Sequence, residues 1–169
     1  MPLSHDRFQR LKPAAGLRQS GKAQLPESSL AAWQVEAMQR LTASEPILVT
    51  DDDRMSRTFY RTLLNQSFGF GLLDTPDPAE ALGICQERPI SLLISCLLKP
   101  TGTDMDGLML IETLKQDFST RQIPLLVISA SMNAESIALH AGADAFLSKP
   151  CHPNQILHEI WTLLRLRLI

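Results

Sequence analysis

The chain has 169 residues, of which 44% are hydrophobic, and a formal net charge of −2 at pH 7. This size and composition suffice for one ordinary hydrophobic core with an appendage, and the small net charge argues against a dedicated nucleic-acid binder. No apolar run approaches the roughly 18 to 20 residues that cross a bilayer, and the N-terminal residues lack the apolar segment of a secretory signal. We therefore expect a cytoplasmic protein with no membrane span. The three cysteines lack the spacing of a zinc site or a disulfide framework, which fits a reducing compartment.

Residues 1–27 are predicted to form a basic arm. The first 26 residues carry five basic side chains against the single Asp6, a net charge of +4 that leaves −6 for the rest of the chain. Proline and glycine recur among polar residues without a helical or strand period, so this arm is predicted to be disordered.

Residues 28–45 are predicted to form an amphipathic helix followed by a short linker. Leu30, Trp33 and Leu41 fall at helical spacing, and Ser28 or Ser29 is available as the N-cap. The stripe that contains Trp33 is interpreted as a packing face, either within the chain or in a homodimer.

Residues 46–169 alternate short apolar runs with helical patterns. The predicted strands are 47–50, 71–74, 91–95, 125–128 and 145–147, and the predicted helices are 55–65, 78–86, 108–118, 133–140 and 153–168. Five such strand and helix units predict an α/β domain with a parallel sheet that is covered on both faces. In such sheets ligands bind outside the carboxyl ends of the strands.

Polar side chains collect at these predicted strand ends. They are Asp51 and Asp52 after the first strand, Cys96 after the third, Ser129 after the fourth and Lys149 after the fifth. Adjacent carboxylates suit Mg²⁺, which is typically held by one or two carboxylates, waters and a phosphate oxygen. A hydroxyl and an ammonium group opposite would bind phosphoryl oxygens. The pattern indicates phosphoryl-transfer chemistry.

Five sequence strings, in chain order, resemble the response-regulator receiver (CheY-like) family over residues 47–168. They are ILVTDDD from residue 47, LLISCLLKP from 92, MDG from 105, PLLVISA from 124 and AGADAFLSKP from 141. The resemblance implies a flavodoxin-like, doubly wound (βα)5 three-layer sandwich with sheet order 2-1-3-4-5. It also implies a role in two-component or phosphorelay signal transduction.

The resemblance further implies roles for individual residues. Asp51 and Asp52 would be the acidic pair that binds Mg²⁺, Ser129 and Lys149 would sense the phosphoryl group, and Phe146 would act as a switch. The peptide bond between Lys149 and the following proline would be cis. Independently of the family, Ser129 is equally well interpreted as a strand-end hydroxyl that the backbone satisfies.

Cys96 departs from the family pattern. It stands four residues before Pro100, where the family has its phosphoacceptor aspartate, and the following loop up to Met105 is longer than usual. A thiol is a poor ligand for Mg²⁺, so metal binding should be weak and Lys149 should be left partly unpaired. The neighbouring carboxylates disfavour a thiolate whereas Lys149 favours one, and the sequence leaves that balance open. Cys96 is interpreted either as a small buried residue or as a redox-active thiol, with Cys151 as its neighbour.

These observations predict a stand-alone pseudo-receiver that is not phosphorylated in the ordinary way and is not an enzyme. It would act by protein contact, with no DNA-binding domain, on a histidine kinase, a phosphotransfer protein or another regulator. The contact face would be the one that receivers form from the fourth helix, fifth strand and fifth helix of the domain.

Two alternatives stay open. One is a conventional phosphorelay receiver in which Asp104 or Asp106 replaces the missing acceptor. The other is a haloacid-dehalogenase-like phosphatase with Asp51 as nucleophile and Asp53 as acid and base.

Overall fold

The computed structural model describes residues 30–96 and 105–168. The predicted arm, residues 1–27, and the alternative acceptor Asp104 lie outside the described residues. Within the described part of the chain, no helix is long and apolar enough to span a membrane.

Five parallel strands form one sheet in the order β2-β1-β3-β4-β5, with register-matched neighbours throughout. The strands are β1 (Ile47–Thr50), β2 (Leu72–Thr75), β3 (Leu92–Ser95), β4 (Leu125–Ser129) and β5 (Ala145–Ser148). The helices are α1 (Ala32–Ser44), α2 (Arg54–Tyr60), α3 (Pro78–Glu87), α4 (Gly107–Gln116), α5 (Ala134–Ala141) and α6 (Pro153–Leu164). A π-helical segment (Arg61–Ser67) continues α2, and a 3₁₀ turn (Arg165–Arg167) follows α6.

Alternate residues of each strand pack into two hydrophobic cores that lie on opposite faces of the sheet. In β1, Ile47 and Val49 pack with residues of α1, α2 and α6, whereas Leu48 packs with residues of α3 and α4. Because both faces are covered, the central strands read as continuous apolar runs rather than as alternating patterns. The α/β class, the three layers and the predicted sheet order are confirmed.

Most elements differ from the sequence prediction by one or two residues at an end, and α6 ends at Leu164 rather than at Leu168. The first helix begins at Ala32 and reaches Ser44, later than predicted, and the two predicted N-cap residues, Ser28 and Ser29, lie outside the described residues. Ala31 holds the N-cap position, and its backbone N–H donates to Gln34 Oε1 at 2.7 Å. The second strand lies one residue later than predicted, and the helix after β1 extends as a π-helical segment to Ser67.

Helix α1 packs against the domain itself. Met38 is fully buried in the core, and the rings of Trp33 and Trp161 meet edge to face with centroids 5.2 Å apart. The Thr42 hydroxyl accepts a hydrogen bond from Gly71 N–H at 3.0 Å. Of the two predicted uses of the Trp33 face, the structure shows packing within the chain.

Candidate functional site

The carboxyl edge of the sheet brings together side chains that are far apart in sequence. Asp51, which follows β1, is 1% exposed, and the Lys149 ammonium, which follows β5, lies 3.0 Å from Asp51 Oδ2. The peptide bond between Lys149 and Pro150 is cis, as the resemblance implied. Cys96 follows β3 at the same edge, and its backbone N–H donates to Thr50 O at 3.2 Å.

Lys149 has partners for two of its three N–H donors, so it is paired more extensively than the sequence suggested. Besides its contact with Asp51, its ammonium donates to Ser56 Oγ at 3.4 Å. Burial alone would lower the pKa of Lys149, but the hydrogen bond and charge of Asp51 outweigh burial and raise it. Lys149 is therefore a fixed cation that neutralises the buried carboxylate.

Cys96 is held as a neutral thiol. Burial, followed by the charge of Asp51, raises its pKa from an ordinary 9.0 to about 11, and Asp52 acts in the same direction. Lys149 and a hydrogen bond with Ser129 lower the pKa by less. The balance that the sequence left open thus favours the thiol, which carries no charge at neutral pH.

Ser129 lies at the end of β4 beside Cys96. It is 2% exposed, and its hydroxyl accepts a hydrogen bond from Ser131 N–H at 3.2 Å. The backbone therefore occupies part of its hydrogen-bonding capacity, as in the second of its two interpretations. Phe146 in β5 is half-buried and packs on the core formed with α3 and α4.

Asp53 is a helix cap. Its carboxylate accepts from Met55 N–H at 3.2 Å and from both the N–H and the hydroxyl of Ser56 at 2.9 and 2.8 Å. These Ser56 bonds, the largest cause, lower the pKa of Asp53. A general acid needs a pKa closer to the working pH, so the environment of Asp53 opposes the acid and base role in the phosphatase alternative.

Asp106, the other alternative acceptor, is also a cap. Its carboxylate accepts a hydrogen bond from Met109 N–H at 2.8 Å at the start of α4. This geometry points the carboxylate at the helix N-terminus, where the partial positive charge of the helix stabilises it.

The residues at this edge fit a Mg²⁺ ion poorly. Asp51 and exposed Asp52 supply hard oxygen ligands. Cys96, at the position of the third ligand, is a neutral thiol, and Lys149 already neutralises Asp51. Among residues 30–96 and 105–168, no group of three or more His, Cys, Asp or Glu side chains could hold a metal ion.

Cys151 lies two residues beyond Lys149 and packs on the core that includes α6. Burial raises its pKa, and Lys149 offsets only part of that rise. Redox-active cysteines are characteristically low-pKa thiols, so the environments of Cys96 and Cys151 both argue against the redox interpretation.

Sequence reasoning missed three residues of this edge. Ser56 links the Asp53 cap to the Lys149 ammonium. Arg57 donates from Nη1 to the carbonyl oxygen of Asp51 at 2.8 Å, and thereby fixes the turn that presents the acidic residues. Tyr60 is 3% exposed, and its burial, together with the charge of Asp51, raises its pKa. Only Ser56 had a sequence signal: Asp53 is a preferred N-cap residue, and an N-cap side chain accepts from the backbone N–H two or three residues further on.

Comparison with known proteins adds independent findings. A family model described as the response regulator receiver domain matches residues 47–161. The chain is 31% identical over 124 residues to the cyclic di-GMP phosphodiesterase response regulator RpfG of Xanthomonas campestris pv. campestris, a match that covers 72% of this chain and 32% of RpfG. It is 28% identical over 124 residues to histidine kinase P4 of Formosa agariphila, covering 72% of this chain and 9% of the kinase. The chain thus spans less than half the length of these two curated relatives.

Solved structures agree on the fold. The signal receiver domain of a histidine kinase from Syntrophus aciditrophicus matches with a TM-score of 0.63 and 26% identity, over 70% of this chain and 89% of that one. The receiver domain of PA1611 from Pseudomonas aeruginosa, solved with magnesium in its active-site cleft, matches with a TM-score of 0.64 and 16% identity, over 70% and 96% of the two chains.

Proposed function

The chain belongs to the response regulator receiver family of two-component signalling, and we propose that it is a receiver that does not take part in ordinary aspartyl phosphorylation. In this proposal it acts through protein contact. The observation that supports this proposal most directly is the neutral thiol of Cys96 at the position of the phosphoacceptor, beside Lys149, which is already paired with Asp51.

The proposal follows from the chemistry of the acceptor. Forming an acyl phosphate requires a carboxylate that attacks phosphorus and also ligates the metal. The Cys96 thiol is uncharged at neutral pH and is a soft ligand, so it supplies neither function. Moreover, Asp51 already binds the Lys149 ammonium, the group that would bind an incoming phosphoryl group. Asp51 and Asp52 would hold Mg²⁺ weakly, through the two carboxylates alone.

A receiver that is not phosphorylated would signal through a surface that binds a partner protein. The face predicted from the family consists here of α5, β5 and α6, and α5 presents Ile137 and Leu139, which are 48% and 44% exposed. Because residues two positions apart point to different sides of a helix, one of these two apolar side chains at most would face a given partner. The proposed partner is a histidine kinase, a phosphotransfer protein or another regulator, and the cytoplasmic location stays a prediction from the sequence.

A conventional receiver that uses Asp106 is less well supported, because that carboxylate caps α4. The phosphatase alternative is likewise opposed by the capping role of Asp53.

The test is incubation with Mg²⁺ and acetyl phosphate, followed by intact-mass measurement. Wild type and Cys96→Asp are compared, with Cys96→Asn as a control of the same shape but without the carboxylate. We expect one phosphoryl group on Cys96→Asp and none on the other two. A stable phosphoryl group on the wild type would refute the proposal, and peptide mapping would show whether Asp104 or Asp106 carries it.

A further inference from the structure

A carboxylate lies on a face of the edge strand β2 that packs against apolar side chains. In the register of the sheet Asp74 pairs with Val49, so both side chains point to the core that α2 and α6 cover. The Asp74 side chain is only 16% exposed there. A largely buried charge is costly unless opposite charges pair it, and two arginines supply them, Arg57 of α2 and Arg61 of the π-helical segment.

Arg61 alone satisfies both oxygens of this carboxylate. Its Nη2 lies 2.7 Å from Asp74 Oδ1 and 2.9 Å from Asp74 Oδ2, and its side chain is 50% exposed. Arg57 is a second cation on the same group: its Nε lies 3.3 Å from Asp74 Oδ2, and its side chain is only 16% exposed. The ion pair of Asp74 is complete without Arg57, so the burial of a second guanidinium here needs another reason.

Arg57 also contacts the site itself. Its Nη1 donates to the carbonyl oxygens of Asp51 and Asp52, at 2.8 and 3.2 Å. A guanidinium is planar and presents its N–H groups in a fixed fork, so the ion pair at Nε sets the direction in which Nη1 points. The Asp74 carboxylate therefore orients the group that holds the backbone of the acidic turn.

This turn presents the buried carboxylate of Asp51 to Lys149. Asp51 Oδ1 accepts from Asp53 N–H at 2.9 Å, and Asp51 Oδ2 lies 3.0 Å from Lys149 Nζ. Polar contacts thus continue through Arg57 and Asp51 from Asp74 in β2, at one edge of the sheet, to Lys149 after β5, at the other edge.

We propose that Asp74 is a positioning residue of the candidate site, which acts through Arg57 on the backbone of the acidic turn. Without Asp74, the Arg57 guanidinium loses the ion pair that directs Nη1, and its hold on the carbonyl groups weakens. The Asp51 carboxylate then loses its fixed direction towards Lys149. The proposal goes beyond the proposed function and holds whether or not the protein accepts phosphate.

Hydrogen exchange of the full chain, measured by NMR, tests the proposal, because the Asp53 N–H reports on the turn. We expect Asp74→Ala, and Arg57→Lys, which keeps the charge but loses the fork, to lower its protection at least about tenfold, the loss that follows removal of a hydrogen bond to a charged group. The matched control is Arg61→Gln, which loses an ion pair with the same carboxylate. It should lower the protection by no more than about threefold, as for an exposed ion pair.

The Leu93 N–H distinguishes positioning from a general loss of stability. It donates to Pro124 O at 2.9 Å in the central strand β3. A fall by the same factor at Asp53 and Leu93 in Asp74→Ala would mean a general loss of stability and would overturn the proposal. Equal effects of Asp74→Ala and Arg61→Gln on the Asp53 N–H, or no effect of Asp74→Ala, would also overturn it.

The ammonium group of Lys149 shows whether the effect crosses the site. Its ¹⁵N NMR signal should broaden in Asp74→Ala relative to that of Lys115, whose ammonium donates to the Asp144 carboxylate at 2.8 Å near the opposite edge of the sheet. A constant ratio of the two linewidths would contradict the step from Arg57 to Lys149 and overturn the proposal.

Discussion

The ionisation of Cys96 is the property on which the proposed function depends most directly, and alkylation measures it. Its pKa of about 11, against an ordinary 9.0, lowers the thiolate fraction at pH 8 by about 100-fold. Because the thiolate is the nucleophile, iodoacetamide should modify Cys96 at least about 100-fold more slowly than free cysteine at pH 8. Partial burial can only slow the reaction further.

The assay follows each cysteine by peptide mass spectrometry between pH 7 and pH 10.5. If access alone limits the alkylation of Cys96, its rate should level off near the ordinary pKa of a cysteine thiol. If ionisation limits it, the rate should keep rising about tenfold per pH unit up to pH 10. Asp51→Asn removes the largest cause of the raised pKa after burial, so it should accelerate the reaction of Cys96. A rate within about threefold of free cysteine at pH 8, or a plateau below pH 9, would refute the neutral-thiol argument.

Two further predictions concern stability and can be checked by urea denaturation. Lys149→Met leaves the Asp51 carboxylate buried without its cation. Such a loss lowers the free energy of unfolding by about 3–5 kcal/mol in a fully buried pair. Because Lys149 is 28% exposed, we expect a loss of about 1–3 kcal/mol. Combining it with Asp51→Asn should recover part of that loss, and strictly additive effects would contradict the pairing. Gly71→Ala would place a Cβ 2.0 Å from the carbonyl oxygen of Thr42 and should cost at least about 2 kcal/mol by displacing α1. Gly83→Ala, whose Cβ would meet nothing within 4 Å in α3, should instead stabilise by about 0.5–1 kcal/mol, and equal effects at the two glycines would contradict the packing of α1.

The sequence predicted the sheet well because its signals are local. Every central strand consists of three or four apolar residues that end on a threonine or a serine, and β1 was predicted at its observed bounds. The start of α1 was predicted wrongly because serine is the commoner N-cap, whereas here Gln34 binds the backbone N–H of Ala31. The π-helical continuation of α2 places Leu64 in the same core as Phe70, and no local sequence pattern distinguishes it from an ordinary α-helix.

The members of the site were also predictable, but its electrostatic state was not. Parallel strands bring their carboxyl ends to one edge, and this alone places Lys149 near Asp51 across 98 positions of sequence. The pKa of Cys96 depends on its burial and on the competing distances to Asp51 and Lys149. Such quantities follow only from side-chain geometry.

The charge balance of the site shows why an aspartate at position 96 would change more than the nucleophile. In the wild type, the Asp51 carboxylate and the Lys149 ammonium neutralise each other, and the Cys96 thiol adds no charge. A second carboxylate would compete for Lys149 and leave the edge with one more negative charge. That charge would attract a divalent cation to oxygen ligands, the arrangement that Mg²⁺ prefers. Mg²⁺ should therefore bind Cys96→Asp more tightly than Cys96→Asn, and equal affinities would mean that Lys149, rather than the missing carboxylate, keeps the metal out.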